Sequence, residues 1–304
     1  MHSSIPVSDT SKGEVGQAAQ EFRRERYLSL VFSALWKDRF ARYGALIILL
    51  TILGALFAPW IAPYDPLQAD SKIRLLPPGS PGHLLGTDKI GRDILSRMLL
   101  GARTSLRVAF LPVAFSLMIG LALGLISGYF GGPIDMVIMR LLDILLAFPS
   151  ILLAIAIAAS LGPGLNNAVL AITVVSIPVF ARIVRSSVMS VRQLDFVEAA
   201  QSVGASAPQI LIHQILPNVI SPLIIYATLE TGRVIILSAG LSFLGLGVQP
   251  PTPDWGAMLS DGRDVLAIAP HVATVPGLAI FVLTLCFNVV GDGLRDALDP
   301  RLQS

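Results

Sequence analysis

Two pairs of opposite charges interrupt the otherwise apolar stretches of this chain. Arg140 and Asp143 stand three residues apart, as do Glu230 and Arg233. A charge held in hydrocarbon costs about 2.5 to 3.5 kcal/mol on insertion scales, so each must be neutralised, hydrated or used. On a helix, positions three apart share a face, which lets each acid neutralise its own base. The same placement also suits residues lining an aqueous pathway, because ionisable groups within a membrane turn toward the bundle interior or a cavity. Covalent chemistry has no comparable support. Gly86 to Asp93, GTDKIGRD, has the glycines of a phosphate loop, but Lys89 precedes Gly91, whereas such a loop needs Lys directly after its last Gly. The histidines His2, His83, His213 and His271 lack metal-ligand spacing. No G-x-S-x-G nucleophile turn occurs.

The elements that carry these residues are membrane spans. Apolar residues make up 54% of the 304 and charged ones only 14%, far below the roughly 25% typical of soluble domains. A net charge of +2 excludes a bulk basic surface, and no nucleic acid partner is expected. The one cysteine, Cys286, lies in an apolar run and reads as core packing. The polar N-terminal stretch shows no apolar region ahead of a cleavage site, so a removable secretory signal is not expected.

Crossing about 30 Å of hydrocarbon takes roughly 20 apolar helical residues. Six segments meet that length: Tyr43 to Ala62, Val108 to Phe130, two helices within the charge-free run Ile144 to Phe180, Val219 to Leu246, and Val272 to Val290. LGPGLNN, Leu161 to Asn167, reads as the turn that divides the long run. An even number of spans puts both ends on one side. With the N-terminus in the cytoplasm, thirteen basic residues fall inside and eight outside, the orientation favoured by the positive-inside rule.

Gly120, Gly124 and Gly128 clear one face of the second span and let another backbone approach, either within this chain or from a second subunit. Two polar connections remain, residues 63–107 outside and 185–218 inside. Functional residues concentrate on such connections. The inner one begins a short helix at Asp195, turns at Gly204 and resumes an apolar helix that Pro217 is expected to end. With few apolar residues of its own it is either a connector or a docking element for a partner.

The inner connection also carries a resemblance. Glu198, Ala199 and Ala200, then Gly204 after three intervening residues, then Leu216 and Pro217, resemble the EAA loop of ABC importer permeases. Gln214 stands where that pattern has a hydrophobic residue. His83 to Leu106, Met139 to Ala154, Leu241 to Leu259 and Phe287 to Arg301 resemble the peptide-type permeases, in particular the "C" type second subunit of dipeptide, oligopeptide, glutathione or nickel systems. The resemblance starts at about Trp36.

It implies an all-α, MetI-like domain of six transmembrane helices over residues 43–304, with a core at about 102–291; the polar tail lies outside the resemblance, and residues 1–42 are expected to be cytoplasmic and to carry a membrane-surface helix. It further implies a multi-pass protein of the bacterial inner membrane with both termini cytoplasmic. The expected partners are membrane lipid, a homologous second permease, two cytoplasmic ATPases and an extracytoplasmic solute-binding protein. The chain itself is expected to be no enzyme and to bind no cofactor; ATP and Mg would belong to the ATPases. Asp195, Glu198, Ala199, Ala200, Gly204, Leu216 and Pro217 would couple hydrolysis to movement, and Gly86, Thr87, Asp88, Gly91, Arg92 and Asp93 form the external motif. A secondary transporter driven by an ion gradient is the competing possibility. It would show discontinuous helices and a complete ion site at mid-membrane.

Overall fold

The computed structural model describes residues 38–298. The expectations placed on residues 1–37, and on the end of the last motif at Arg301, lie outside them. The described residues form helices α1 (Arg39–Ile61), α2 (Ile94–Phe130), α3 (Gly132–Leu146), α4 (Ser150–Leu161), α5 (Leu165–Arg192), α6 (Asp195–Ser202), α7 (Ala207–Ile210), α8 (Leu216–Phe243), α9 (Trp255–Arg263) and α10 (His271–Leu298). Five of these are long and apolar enough to cross a membrane, α8 being counted together with the turn and helix before it, and α3 with α4 forms a bent sixth crossing.

Each boundary has a local cause. The Asp38 side chain accepts from Phe40 N and caps α1, and Asp93 accepts from Ser96 N to cap α2. Gly162 and Gly164 both have positive φ and make the expected turn between α4 and α5.

Two expectations are corrected here. The external connection is not loop throughout, because α2 is already helical from Ile94. Its 37 residues amount to about 55 Å, more than the hydrocarbon needs, so its first turns stand outside it. Nor does the third span start at Ile144. The chain is helical from Gly132, breaks at Ala147, Phe148 and Pro149, and turns by 87° into α4. Proline there disfavours helical backbone at Phe148 and ends α3.

The expected glycine face is used within the chain. A Cβ on Gly124 would stand 2.5 Å from Val184 Cβ and 2.6 Å from Ala181 O, and one on Gly120 would meet Phe180 Cβ at 2.5 Å. Gly128 meets Val188 in the same way. Contacts advance in the same direction on both helices, so α2 and α5 run parallel with their backbones close. Around this pair lies a core that includes Ile172, Phe180, Val234 and Leu241.

At one end of the bundle, Gly293 of α10 lies against Ala41 of α1, which places the two described ends of the chain beside each other. At the other end sit residues 62–93 and α9. α1 leaves a broad apolar face exposed, including Leu46, Leu50, Leu53 and Phe57, as a lipid-facing helix should. Cys286 is buried and free, as expected of a packing residue.

Candidate functional site

The α5–α8 connection is built around one buried side chain. Val197 of α6 is fully buried against Val184 and Val188 of α5, Ile210 of α7, Ile215 in the turn that follows and Val219 at the start of α8. The neighbouring Asp195, Glu198 and Ala199 point outward and are exposed, and Ala200 is half-buried. α6 ends in a Schellman turn: Ala205 N donates to Ala200 O at 3.0 Å and Gly204 N to Gln201 O at 2.9 Å. Gly204 takes the left-handed conformation this turn requires, φ +80°. Ser206 and Gln209 then form a capping box that starts α7.

Pro217 does not end the following helix as expected. Residues Leu211–Ile215 widen into a π turn, and α8 runs on from Leu216 with Pro217 in its first turn. Proline is tolerated there because the first amides of a helix lack partners anyway. Asn218 Nδ2 donates to Gln214 O at 2.6 Å across this joint. The connection is therefore joined to α8 without a flexible break. Leu194, Phe196, Val203 and Ile212 stay exposed around α6 and give the projecting segment an apolar rim.

Of the two expected charge pairs, one forms. Arg233 donates through Nη2 to Glu230 Oε1 at 2.5 Å and through Nε to Oε2 at 2.8 Å. Glu230 is buried and also accepts from Ser176 Oγ of α5 at 2.8 Å and from Tyr226 OH at 3.2 Å. Arg140 and Asp143 do not pair. Asp143 accepts instead from Arg182 Nη2 of α5 at 2.6 Å, while Arg140 lies exposed. α5 lies alongside α3 and brings the Arg182 guanidinium to Asp143 from the neighbouring helix. A third ion pair had no sequence signal. Asp135 receives both Nε and Nη2 of Arg185, at 2.5 and 2.6 Å, together with the Ser127 hydroxyl. Its partner is fifty residues away, and no spacing marks it.

The external motif is a tightly folded knot. Gly86 and Gly91 have φ of +80° and +86°, and a Cβ on Gly91 would stand 1.8 Å from Asp70 O. Thr87 Oγ1 accepts from Leu76 N and donates to Ile73 O. Asp88 accepts from the Ile90 and Arg92 amides at 3.0 Å each and from Arg92 Nε at 2.6 Å. Asp93 accepts from His83 Nδ1 at 2.9 Å while it caps α2. Lys89 reaches Asp261 of α9 at 2.8 Å, and that bond raises its pKa above the ordinary amine value. Asp254, at the start of α9, accepts from Ser105 Oγ at 2.7 Å, and burial raises its carboxyl pKa. Three of the eight basic residues assigned to the outside are thus held by local carboxylates, Arg92 and Arg97 by Asp88 and Lys89 by Asp261.

Residues 120–304 match the family described as binding-protein-dependent transport system inner membrane component. Residues 26–78 match the N-terminal transmembrane domain of oligopeptide transport permease C. The chain is 49% identical to the dipeptide transport system permease protein DppC of Alkalihalophilus pseudofirmus over 273 residues, 90% of each protein. It is 46% identical to the glutathione transport system permease protein GsiD of Pectobacterium atrosepticum, over 92% of this chain and 95% of that protein. Among solved structures, an inward-facing MetNI methionine ABC transporter matches with a TM-score of 0.54 at 20% identity, covering 67% of this chain and 97% of that one. A crossing bent at mid-course is what a secondary transporter would also show, but the family match and the named relatives favour the ATP-driven class instead. With more than half of its length inside the family profile and relatives of nearly half identity along nine-tenths of it, this chain belongs to the binding-protein-dependent transport permeases, in their MetI-like fold.

Proposed function

We propose that the chain is one of two permease subunits of an ATP-driven importer of short peptides in a bacterial inner membrane, that separate cytoplasmic ATPases supply the energy, and that an extracytoplasmic binding protein delivers the substrate. The relatives named for dipeptide, di/tripeptide and glutathione transport support the substrate class. The observation that carries the mechanism is the α6 segment. It projects from the bundle, is anchored by Val197, and continues through the π turn into α8. Such an element moves the spans when it is pushed. Asp195, Glu198, Ala199, Ala200 and Gly204 would form the docked face, with Leu216 and Pro217 at the joint to α8. ATP and Mg would be bound by the ATPases.

The test is reconstitution of the chain with its second permease, two ATPase copies and binding protein in vesicles. Labelled dipeptide or glutathione should accumulate only with ATP, and the chain alone should hydrolyse none. ATP hydrolysis by the purified lone chain overturns the assignment. The orientation has its own check. A single cysteine at Gln201 in a Cys286→Ala background should resist membrane-impermeant thiol reagents in intact cells and react after permeabilisation. Labelling in intact cells would place the α6 segment on the wrong side for any cytoplasmic ATPase.

A further inference from the structure

We propose that Arg233 is a binding point for the free carboxylate of the solute during its passage, held in position by the buried Glu230. The inference rests on the peptide reading above, since short peptides carry such a group. It goes beyond that reading by assigning a residue and a recognised chemical group.

The guanidinium is only partly used. Nε is taken by Glu230, and Nη2 is shared between Glu230 and Ser176 Oγ, the latter at 3.2 Å. Nη1 has a single neighbour, Ser150 Oγ, at 3.5 Å, the outer limit of a hydrogen bond. Glu230 is almost wholly buried, whereas the Arg233 side chain is 40% exposed, so the carboxylate fixes the fork from behind and the far edge stays open. A bidentate fork with one open edge suits a second carboxylate.

The location adds to this. Arg233 lies ten residues before the end of α8, about 15 Å along the helix axis, and therefore well inside the crossing. Ser150 begins α4 just after the 87° break. That helix has no side-chain cap, and its first residue meets the guanidinium through Ser150 Oγ. Half-helix starts inside a membrane favour anionic groups, and irregular backbone at that depth persists only against protein or a water-filled cavity. An open guanidinium edge facing hydrocarbon is excluded by its cost. Two further ion pairs, Asp143 with Arg182 and Asp135 with Arg185, lie nearer the α6 end and leave this spot to Arg233.

The test uses the assembled transporter with Ser150→Cys in a Cys286→Ala background, probed with anionic and cationic methanethiosulfonate reagents of equal size. The anionic reagent should react at least about tenfold faster than the cationic one, because the charge exposed beside Ser150 is the guanidinium edge while its partner Glu230 is buried behind it. That preference should vanish in Glu230→Gln/Arg233→Gln, which keeps the hydrogen bonding without the charges. A dipeptide should protect the thiol, and the same dipeptide with its carboxyl amidated should not. Arg233→Lys, which keeps the charge and loses the fork, should retain the reagent preference and weaken the protection. No labelling, or labelling blind to charge, overturns the proposal, as does equal protection by the amide. If the transporter carries no peptide at all, the peptide reading fails, and charge-selective labelling would then separate an anion site from the question of what occupies it.

Discussion

Replacing Gly204 by Val should reduce substrate uptake by more than tenfold in reconstituted vesicles, while Gly204→Asn retains most of it. Both substitutions add a side chain at a position where a Cβ meets nothing within 4 Å, so space is not the issue. Backbone conformation is. A φ of +80° costs an ordinary side chain about 1 to 3 kcal/mol, and a β-branched one suffers most, whereas Asn tolerates it. Val therefore opens the Schellman turn and releases Ala205 and everything up to the capping box at Ser206. Glu198→Lys should fall as far as Gly204→Val for a different reason. It reverses an exposed charge in the first turns of α6, where the helix dipole favours an acid and where a partner would meet it. In both variants the protein should still insert, because Val197 and the spans are untouched. ATPase retention, measured beside uptake, then separates a dock that has detached from one that no longer transmits. If both variants transport at the wild-type rate, the segment is a plain connector.

The largest structural effect should come from Gly124→Leu. An added Cβ would lie 2.5 Å from Val184 Cβ and 2.6 Å from Ala181 O, and the second of these is backbone that cannot swing away. Overpacking typically costs about 1 to 3 kcal/mol where side chains can adjust, and more is expected where two helices must separate. The folded, detergent-stable fraction should drop by about tenfold or more, since each 1.4 kcal/mol is a factor of ten in a two-state population. Gly240→Ala serves as the control, because its Cβ meets nothing within 4 Å in this chain. Equal yields of monodisperse protein from the two variants would mean that the α2–α5 contact is not a determinant of the fold.

The sequence made some features legible and hid others for physical reasons. Apolar length identified the crossings, because hydrocarbon thickness sets a minimum that few soluble segments reach. It could not show where a crossing bends. Pro59, Pro112, Pro178, Pro222 and Pro276 all lie inside helices, so Pro149 is not set apart from them by residue type. The glycine spacing announced a close approach without saying to what, since the pattern belongs to one helix and the partner to another. Glu230 and Arg233 paired as their spacing suggested, whereas Arg140 and Asp143 did not. Spacing of three permits a pair on one helix but gives no knowledge of Arg182 on a neighbouring one. Pro217 was legible as punctuation but not as a start rather than a stop, because the π turn that absorbs it depends on the packing of Ile215 and Val219. In the knot around Asp88 the Ile90 and Arg92 amide donors were equally out of reach, since backbone groups leave no mark on residue type, although Arg92 four residues on is a partner that spacing allows.

The parallel seating of α2 on α5 has a mechanical consequence. Gly120 to Gly128 spans about 12 Å of axis, and over that length neither helix can slide or twist independently of the other. The ends at Phe130 and Arg192 must then travel together, and Arg192 is only three residues from the start of α6. A push delivered there tilts a double beam rather than a single rod. The far tips of that beam are Ile94, which emerges from the Asp93 cap, and Leu165, which emerges from the glycine turn. A small stroke at the α6 end would therefore reappear, reversed in direction as on a seesaw, at the opposite end of the bundle.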